Sequence, residues 1–305
     1  MTSLCPGCGH SSGAASERAG PKEARGLLPG SIAFWDDRHG LALFGPAATT
    51  PAPWTDALES TSDGGRTWRR LRPVPNGSQL VVAGRSRAWL LTRRGLPRSD
   101  DRGATWKRIS RYPLFDVSFA TARDGIGYGV VGAHEFLAAT DDGGTAWHRR
   151  RFPCRDDGDV DGDDRVSLAA PDQFSVMCVG EPGAGSQWKS LYRSGDGGRS
   201  WVRRTATGVG YLAGFSLRGP RRGWLWEHRG WFLRTDDGGR TWSALPIGRP
   251  EEVEAASASF FATERGLALL HDVRHGPALR LMRTDDGGRS WRQVRSWRVR
   301  TWPAV

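Results

Sequence analysis

The chain has 305 residues, among them 41 Gly, 18 Pro and 15 Trp, and a formal net charge of +11 carried almost wholly by arginine. No stretch approaches the ~20 consecutive apolar residues of a membrane-spanning helix, and no long amphipathic helical pattern occurs. The length suits a single β-propeller, although length alone would also allow two domains.

In chain order, residues 1–28 are rich in Ser, Gly and Ala and lack the apolar segment of a signal peptide. They read as a disordered leader ahead of one folded unit over 29–305. Within the leader, Cys5 and Cys8 form a lone Cys-Pro-Gly-Cys, a weak zinc signal without a second pair. Short apolar runs bounded by turn residues then follow at 31–35, 40–44, 57–61 and 68–74, and again at 80–83, 88–92, 95–98 and 106–109. Further pairs of runs lie at 115–119 and 125–131, 165–168 and 174–178, 210–215 and 223–226, and 256–261 and 266–270. The spacing predicts an all-β fold of six four-stranded antiparallel units, with no sequence left for a seventh.

Six near-copies of an eight-residue phrase punctuate these units. The template is S/T-x-D-x-G-x-S/T-W, with the Asp at Asp63, Asp101, Asp142, Asp196, Asp237 and Asp286 and the Trp at Trp68, Trp106, Trp147, Trp201, Trp242 and Trp291. Only Ala146 departs from it. The Asp positions lie 38, 41, 54, 41 and 49 residues apart, a period that marks a propeller or solenoid. A short Asp side chain accepts hydrogen bonds from amides just ahead of it and folds the chain into a turn. The Gly two residues on takes the positive φ that other residues resist. The Trp then opens the next strand, and burying one such ring contributes ~4–6 kcal/mol before conformational entropy is set against it.

The phrase resembles the Asp-box, or BNR repeat, of the sialidase-like β-propellers, and the six copies span residues 61–291. The resemblance implies a six-bladed propeller in which the box is a structural turn between the third and fourth strands, away from the ligand face. The chain is also similar to the photosystem II assembly factor type of Asp-box propeller, a non-enzymatic binder, whose seven blades do not match six. A sialidase would need an arginine triad, an Asp acid/base and a Tyr nucleophile paired with Glu. Only Tyr112, Tyr128, Tyr192 and Tyr211 are present, none of them in the sixth unit. No catalytic residue carries over. The resemblance thus implies a non-catalytic binding or scaffold module for a glycan or protein ligand. Its alternative is a divergent sialidase-like glycoside hydrolase using two carboxylates.

If the boxes occupy one face, the loops of the opposite face are free to bind, because function concentrates on loops held by a rigid scaffold. His134, Glu135, Glu181, Trp188, Glu227, His228, His271 and Asp272 fall there. Trp54 and Lys189 occupy similar loops. Asp157, Asp159 and Asp161, followed by Gly162, match the opening of a calcium loop, in which alternate oxygens converge on a hard cation. The match ends there, since Arg165 and Leu168 stand at the ninth and twelfth positions. The run reads as a solvated acidic loop and the chain as having no cofactor, with calcium at these three aspartates as the alternative. Cys154 and Cys178 lie in neighbouring units and are expected to form a disulfide, which implies an extracellular or cell-envelope location. Arginines after the box Trp, such as Arg69, Arg70, Arg149 and Arg150, suit charged edge strands. They also suit an anionic surface as partner, while the lack of an Arg-aromatic motif disfavours nucleic acid.

Overall fold

The computed structural model describes residues 27–46, 57–71, 77, 79–132, 134–156, 164–181, 183–205, 210–249, 252–272 and 278–298. The leader up to residue 26, Trp54 and the calcium-like run at Asp157, Asp159 and Asp161 lie outside the described residues.

Six four-stranded sheets follow one another along the chain, each an antiparallel meander in sequence order. Blade one contains β1 (Leu27–Phe34), β2 (Gly40–Pro46), β3 (Ala57–Thr61) and β4 (Arg69–Arg70). Blade two contains β5 (Gln79–Ala83), β6 (Arg87–Leu91), β7 (Leu96–Ser99) and β8 (Lys107–Ser110). Blade three contains β9 (Leu114–Phe119), β10 (Gly125–Val131), β11 (His134–Thr140) and β12 (His148–Arg150). Blade four contains β13 (Arg165–Ala170), β14 (Gln173–Val179), β15 (Lys189–Ser194) and β16 (Val202–Thr205). Blade five contains β17 (Tyr211–Arg218), β18 (Arg222–His228), β19 (Phe232–Thr235) and β20 (Ser243–Ala244). Blade six contains β21 (Val253–Phe260), β22 (Gly266–Asp272), β23 (Ala278–Thr284) and β24 (Arg292–Arg298). The first strands of all six line a central channel of about 340 Å³. The chain is a six-bladed β-propeller.

Each repeated phrase is the turn between the third and fourth strands. The opening Ser or Thr hydroxyl donates to the Asp Oδ1 at 2.7–2.9 Å in all six turns. The same oxygen accepts the amide four residues on, from Gly65, Gly103, Gly144, Gly198, Gly239 and Gly288, at 2.7–3.0 Å. The Asp Oδ1 then accepts the amide ahead of the Trp at 2.8–3.1 Å. In five turns a second hydroxyl donates to Oδ2. Ala146 lacks that hydroxyl; its amide reaches Asp142 Oδ2, as the Ser200 amide reaches Asp196 Oδ2. The bonds of Ser200, Thr241 and Ser290 hold Asp196, Asp237 and Asp286 well below the ordinary carboxylate range.

An amide at the centre of every turn also donates to a carbonyl in the turn between strands one and two of its own blade, as from Gly64 to Arg38 and from Gly287 to Glu264. Both turns therefore sit on one face. The connections between strands two and three, and between blades, lie on the other.

The core is divided among the seams. Six apolar clusters each join two adjacent blades, with Ile126, Leu137, Val166 and Val176 between blades three and four as one example. At the channel, inner-strand side chains accept amides of the next blade. Ser257 and Ser259 take Ile32 N and Phe34 N, Gln79 takes Val117 N, Asp116 and Ser118 take Val166 N and Leu168 N, and Ser167 takes Leu217 N. On the face carrying the repeated turns, an arginine just before the opening Ser or Thr crosses to carbonyls of the next blade. Arg98 reaches Gly143, Arg193 reaches Pro220 and Gly238, Arg234 reaches Asp286 and Gly287, and Arg283 reaches Asp37. Cys154 and Cys178 are joined by a disulfide across the seam between blades three and four.

The tryptophan rings of the repeated turns plug the outer ends of these seams. Trp147 is 9% exposed, packs edge-on against Phe119, and donates from Nε1 to Gly144 O at 3.0 Å. Trp147→Ala is expected to lower stability by about 3–5 kcal/mol, read as a fall in the denaturation midpoint. An unchanged midpoint would show that the ring contributes nothing to the seam.

Candidate functional site

The face opposite the repeated turns carries four of the five exposed large apolar side chains found among the described residues. They are Phe115 (57% exposed) at the channel mouth, Val131 in blade three, Trp188 (78%) in blade four and Trp231 (38%) in blade five. Single exposed apolar residues are ordinary; these four share one face and belong to blades three, four and five.

Beneath two of these rings lies a buried ion pair. Lys189 Nζ meets Glu227 Oε1 at 3.0 Å, with both side chains fully buried in the seam between blades four and five. The ammonium also donates to the carbonyls of Gln187 (2.8 Å) and Gly210 (2.9 Å). Glu227 Oε2 accepts the Trp231 amide at 3.0 Å. Lys189 directly follows Trp188, so one ion pair fixes the segments that present both rings. Gln187 adds a bond from Leu212 N to its Oε1 at 3.0 Å, and Gly185 N donates to Tyr211 Oη. Burial pulls the Lys189 amine below its ordinary value, while Glu227 opposes that shift.

Between blades five and six, His228 Nδ1 bonds Glu254, which begins the inner strand of blade six and stands opposite His271 in the sheet. The His228 contact holds the Glu254 carboxyl below its ordinary value against the effect of burial. Burial likewise pushes the His271 imidazole down, opposed by Glu254 and reinforced by His228.

A third polar group lies where blades two, three and four meet the channel. Asp116 is buried, with Oδ1 taking Gln79 Nε2 and Oδ2 taking Val166 N, both at 2.6 Å. Burial pushes its carboxyl up to about 6, although Arg165 and these bonds pull the other way. Nearby, Tyr128 donates to Glu135. That Tyr–Glu pairing has the composition a sialidase nucleophile would need, but the Tyr128 side chain is fully buried. Burial and Glu135 push its phenol upward, away from activation.

No protein-family model and no curated protein matches the chain. Solved structures do match its fold. YCF48 bound to D1 peptide aligns at TM-score 0.51 with 14% identity, over 85% of this chain and 93% of that one. The GH93 alpha-L-arabinofuranosidase of Fusarium graminearum aligns at 0.50 with 14% identity, over 81% and 88%. The fucose-specific lectin from Aleuria aurantia aligns at 0.52 with 10% identity, over 93% and 99%. At these identities the likeness is one of fold. The neighbours comprise binding proteins and enzymes alike.

The structure places each expected rim residue on the face opposite the turns, but in separate groups. His134 and Glu135 open β11, Glu227 and His228 end β18, and His271 and Asp272 end β22, so they stand on strand ends rather than in loops. His228 and His271 come together around Glu254. Glu227 is consumed by Lys189, Glu135 by Tyr128, and Asp272 pairs with Arg280 at 3.5 Å. His134 and Glu181 are exposed and stand apart from these groups, while Trp188 is exposed next to Lys189. Sequence reasoning missed Glu254, Asp116, Phe115 and Trp231. Asp164 lies against the disulfide sulfurs, which are committed to their own bond, and accepts the Val179 amide.

Glu227→Gln would leave the Lys189 ammonium buried without its counter-charge, and is expected to cost about 3–5 kcal/mol. Replacing both partners by methionine should cost less, because no charge is then stranded; chemical denaturation of the single and double variants checks the ordering.

The lowered His271 value carries a sign. The unfolded chain takes up this proton before the folded one does, so stability falls as pH drops below the ordinary histidine value of 6.5. His271→Gln should therefore lose less melting temperature than the parent between about pH 8 and pH 5.5. Parallel pH dependences for the two proteins would contradict this.

Proposed function

We propose that this propeller is a non-catalytic binding module that recognises a glycan or protein ligand on the face opposite the repeated turns. One observation carries the reading: Phe115, Trp188 and Trp231 project from that face, and the two tryptophans are set by a buried ion pair. Aromatic rings present large, rigid contact area, and tryptophan combines an apolar body with a donor. Sugar faces and apolar peptide side chains both suit such rings. YCF48 with its D1 peptide and the fucose-specific lectin lend support, as propellers of similar fold that bind a peptide and a sugar. The disulfide supports an extracellular or cell-envelope setting.

A divergent glycoside hydrolase is the second reading. The observation on its side is Asp116, a carboxyl held near 6 in the channel wall, where a general acid would be useful. The arabinofuranosidase neighbour supports it at the level of fold.

Glycan arrays and peptide panels, run beside a panel of aryl glycosides and sialosides, separate the two. For the binding module, Trp188→Ala and Trp231→Ala should each weaken the captured ligand by about tenfold without shifting the melting midpoint. Turnover of any glycoside, abolished by Asp116→Asn, would replace the binding reading with the enzymatic one.

A further inference from the structure

One end of the central channel holds a cation that the chain leaves uncompensated. Arg218 ends β17 and borders the channel at the end nearer the repeated turns. Its Nε donates to Phe260 O, across the seam between blades five and six, at 2.6 Å. Neither Nη has a hydrogen bond or an ion pair among the described residues, so the end-on fork of the guanidinium is unused. Burial pulls the group below its ordinary value, and no carboxylate among the described residues opposes that shift. On the same face, Arg98, Arg222, Arg234 and Arg283 each meet a carboxylate, from Asp100, Asp236 or Asp285. At the other end of the channel, Arg165 is set against the buried Asp116.

Three hydroxyls share this part of the channel. Ser118, Ser167 and Ser259 lie on the inner strands of blades three, four and six and line the cavity. Their oxygens accept the amides of Leu168 at 3.0 Å, Leu217 at 2.9 Å and Phe34 at 2.9 Å. Leu217 adjoins Arg218 and Ser259 adjoins Phe260, so two of the three are placed by the same backbone that holds the guanidinium. Each hydroxyl accepts an amide and keeps its own hydrogen, which has no acceptor among the described residues. Three O–H donors and a two-pronged guanidinium thus border one space of about 340 Å³. A charge withdrawn from water is costly until it is paired and hydrogen-bonded, and the channel has room for the missing partner.

We propose that the turn-side end of the channel binds a small monocarboxylate anion, held end-on by the two Nη groups of Arg218, with the hydroxyls of Ser118, Ser167 and Ser259 donating to it. A carboxylate is planar and meets a guanidinium fork with two oxygens, which a halide cannot do. One uncompensated positive charge matches one negative charge, so a phosphate dianion fits less well. The site lies at the end of the channel away from the exposed rings and is independent of the function assigned to them.

Amide spectra of the isotope-labelled protein, titrated with sodium acetate and, at equal ionic strength, with sodium chloride and sodium phosphate, test the site. Saturable shifts at Leu217, Arg218, Ser259 and Phe260 are expected with acetate, and weaker binding with chloride and phosphate. Arg218→Gln keeps a donor for Phe260 O but removes the charge. It should weaken acetate binding by roughly tenfold or more. Acetate should raise the melting midpoint of the parent and leave that of Arg218→Gln where it stands in chloride. Arg218→Lys keeps the charge without the fork, and should retain part of the affinity while losing the preference for acetate over chloride. The absence of saturable acetate shifts would overturn the site. Equal affinities of the parent for acetate and chloride, or acetate binding undiminished in Arg218→Gln, would do the same.

Discussion

The hydroxyl that opens each repeated turn is the bond on which the rest of the molecule hangs. In one oxygen it joins a donor bond to the Asp carboxylate and an acceptor bond to a glycine amide. That fixes the carboxylate in the place where it can take the amide ahead of the tryptophan. The turn then clips to the first hairpin of the same blade, so two of the three strand connections are tied into one rigid end. Where Ala146 replaces one hydroxyl the turn keeps its other bonds, with Asp142 taking the Ala146 amide on both oxygens as Asp196 takes that of Ser200. With one end of each blade so fixed, variation in length and chemistry is left to the other.

The seams show two ways of holding sheets together. Four use a charged strap whose guanidinium is shared between carbonyls of the next blade and, in three of them, a carboxylate of its own. Of the two seams without an arginine strap, one is crossed by the Trp35 Nε1 bond to Arg87 O and the other carries the disulfide, closing a span of 24 residues. At the opposite face, the pair of Lys189 and Glu227 sets geometry more than it adds stability, since desolvating two charges costs about as much as their attraction returns. It positions two rings that would otherwise ride on irregular backbone, where Ala184 and Arg229 both adopt positive φ.

The architecture was legible because the phrase repeats, and its Asp, Gly and Trp each have a local reason to stand where they do. The bond between Cys154 and Cys178 was legible for a related reason: the repeat count placed both beside one seam. The chemistry at the rim was less so. Glu227 and Glu135 look like free acids in the sequence, and only the fold brings Lys189 and Tyr128 against them. Glu254 gains its meaning from His228, a neighbour in another blade. The arginine straps had a visible signal, an Arg before the Ser or Thr of four phrases. Set beside the many arginines after the tryptophan, they read as more of the same surface charge, although Arg234 is almost fully buried.

Among the described residues every sheet is made of four strands consecutive in the chain, and none of these strands is shared between the first and sixth blades. Closure rests on Ser257 and Ser259 capping amides 225 residues away, on Arg283 and Arg265 gripping Asp37, and on the apolar cluster of Phe44, Leu267 and Leu281. As the chain leaves the ribosome, blade one thus waits with its inner amides and one oily flank uncovered until the final blade emerges. Contacts so distant in sequence form late, and exposed flanks of this kind invite aggregation. The newborn protein is most vulnerable in the interval before blade six is made, and what shields blade one until then will govern how much of it matures.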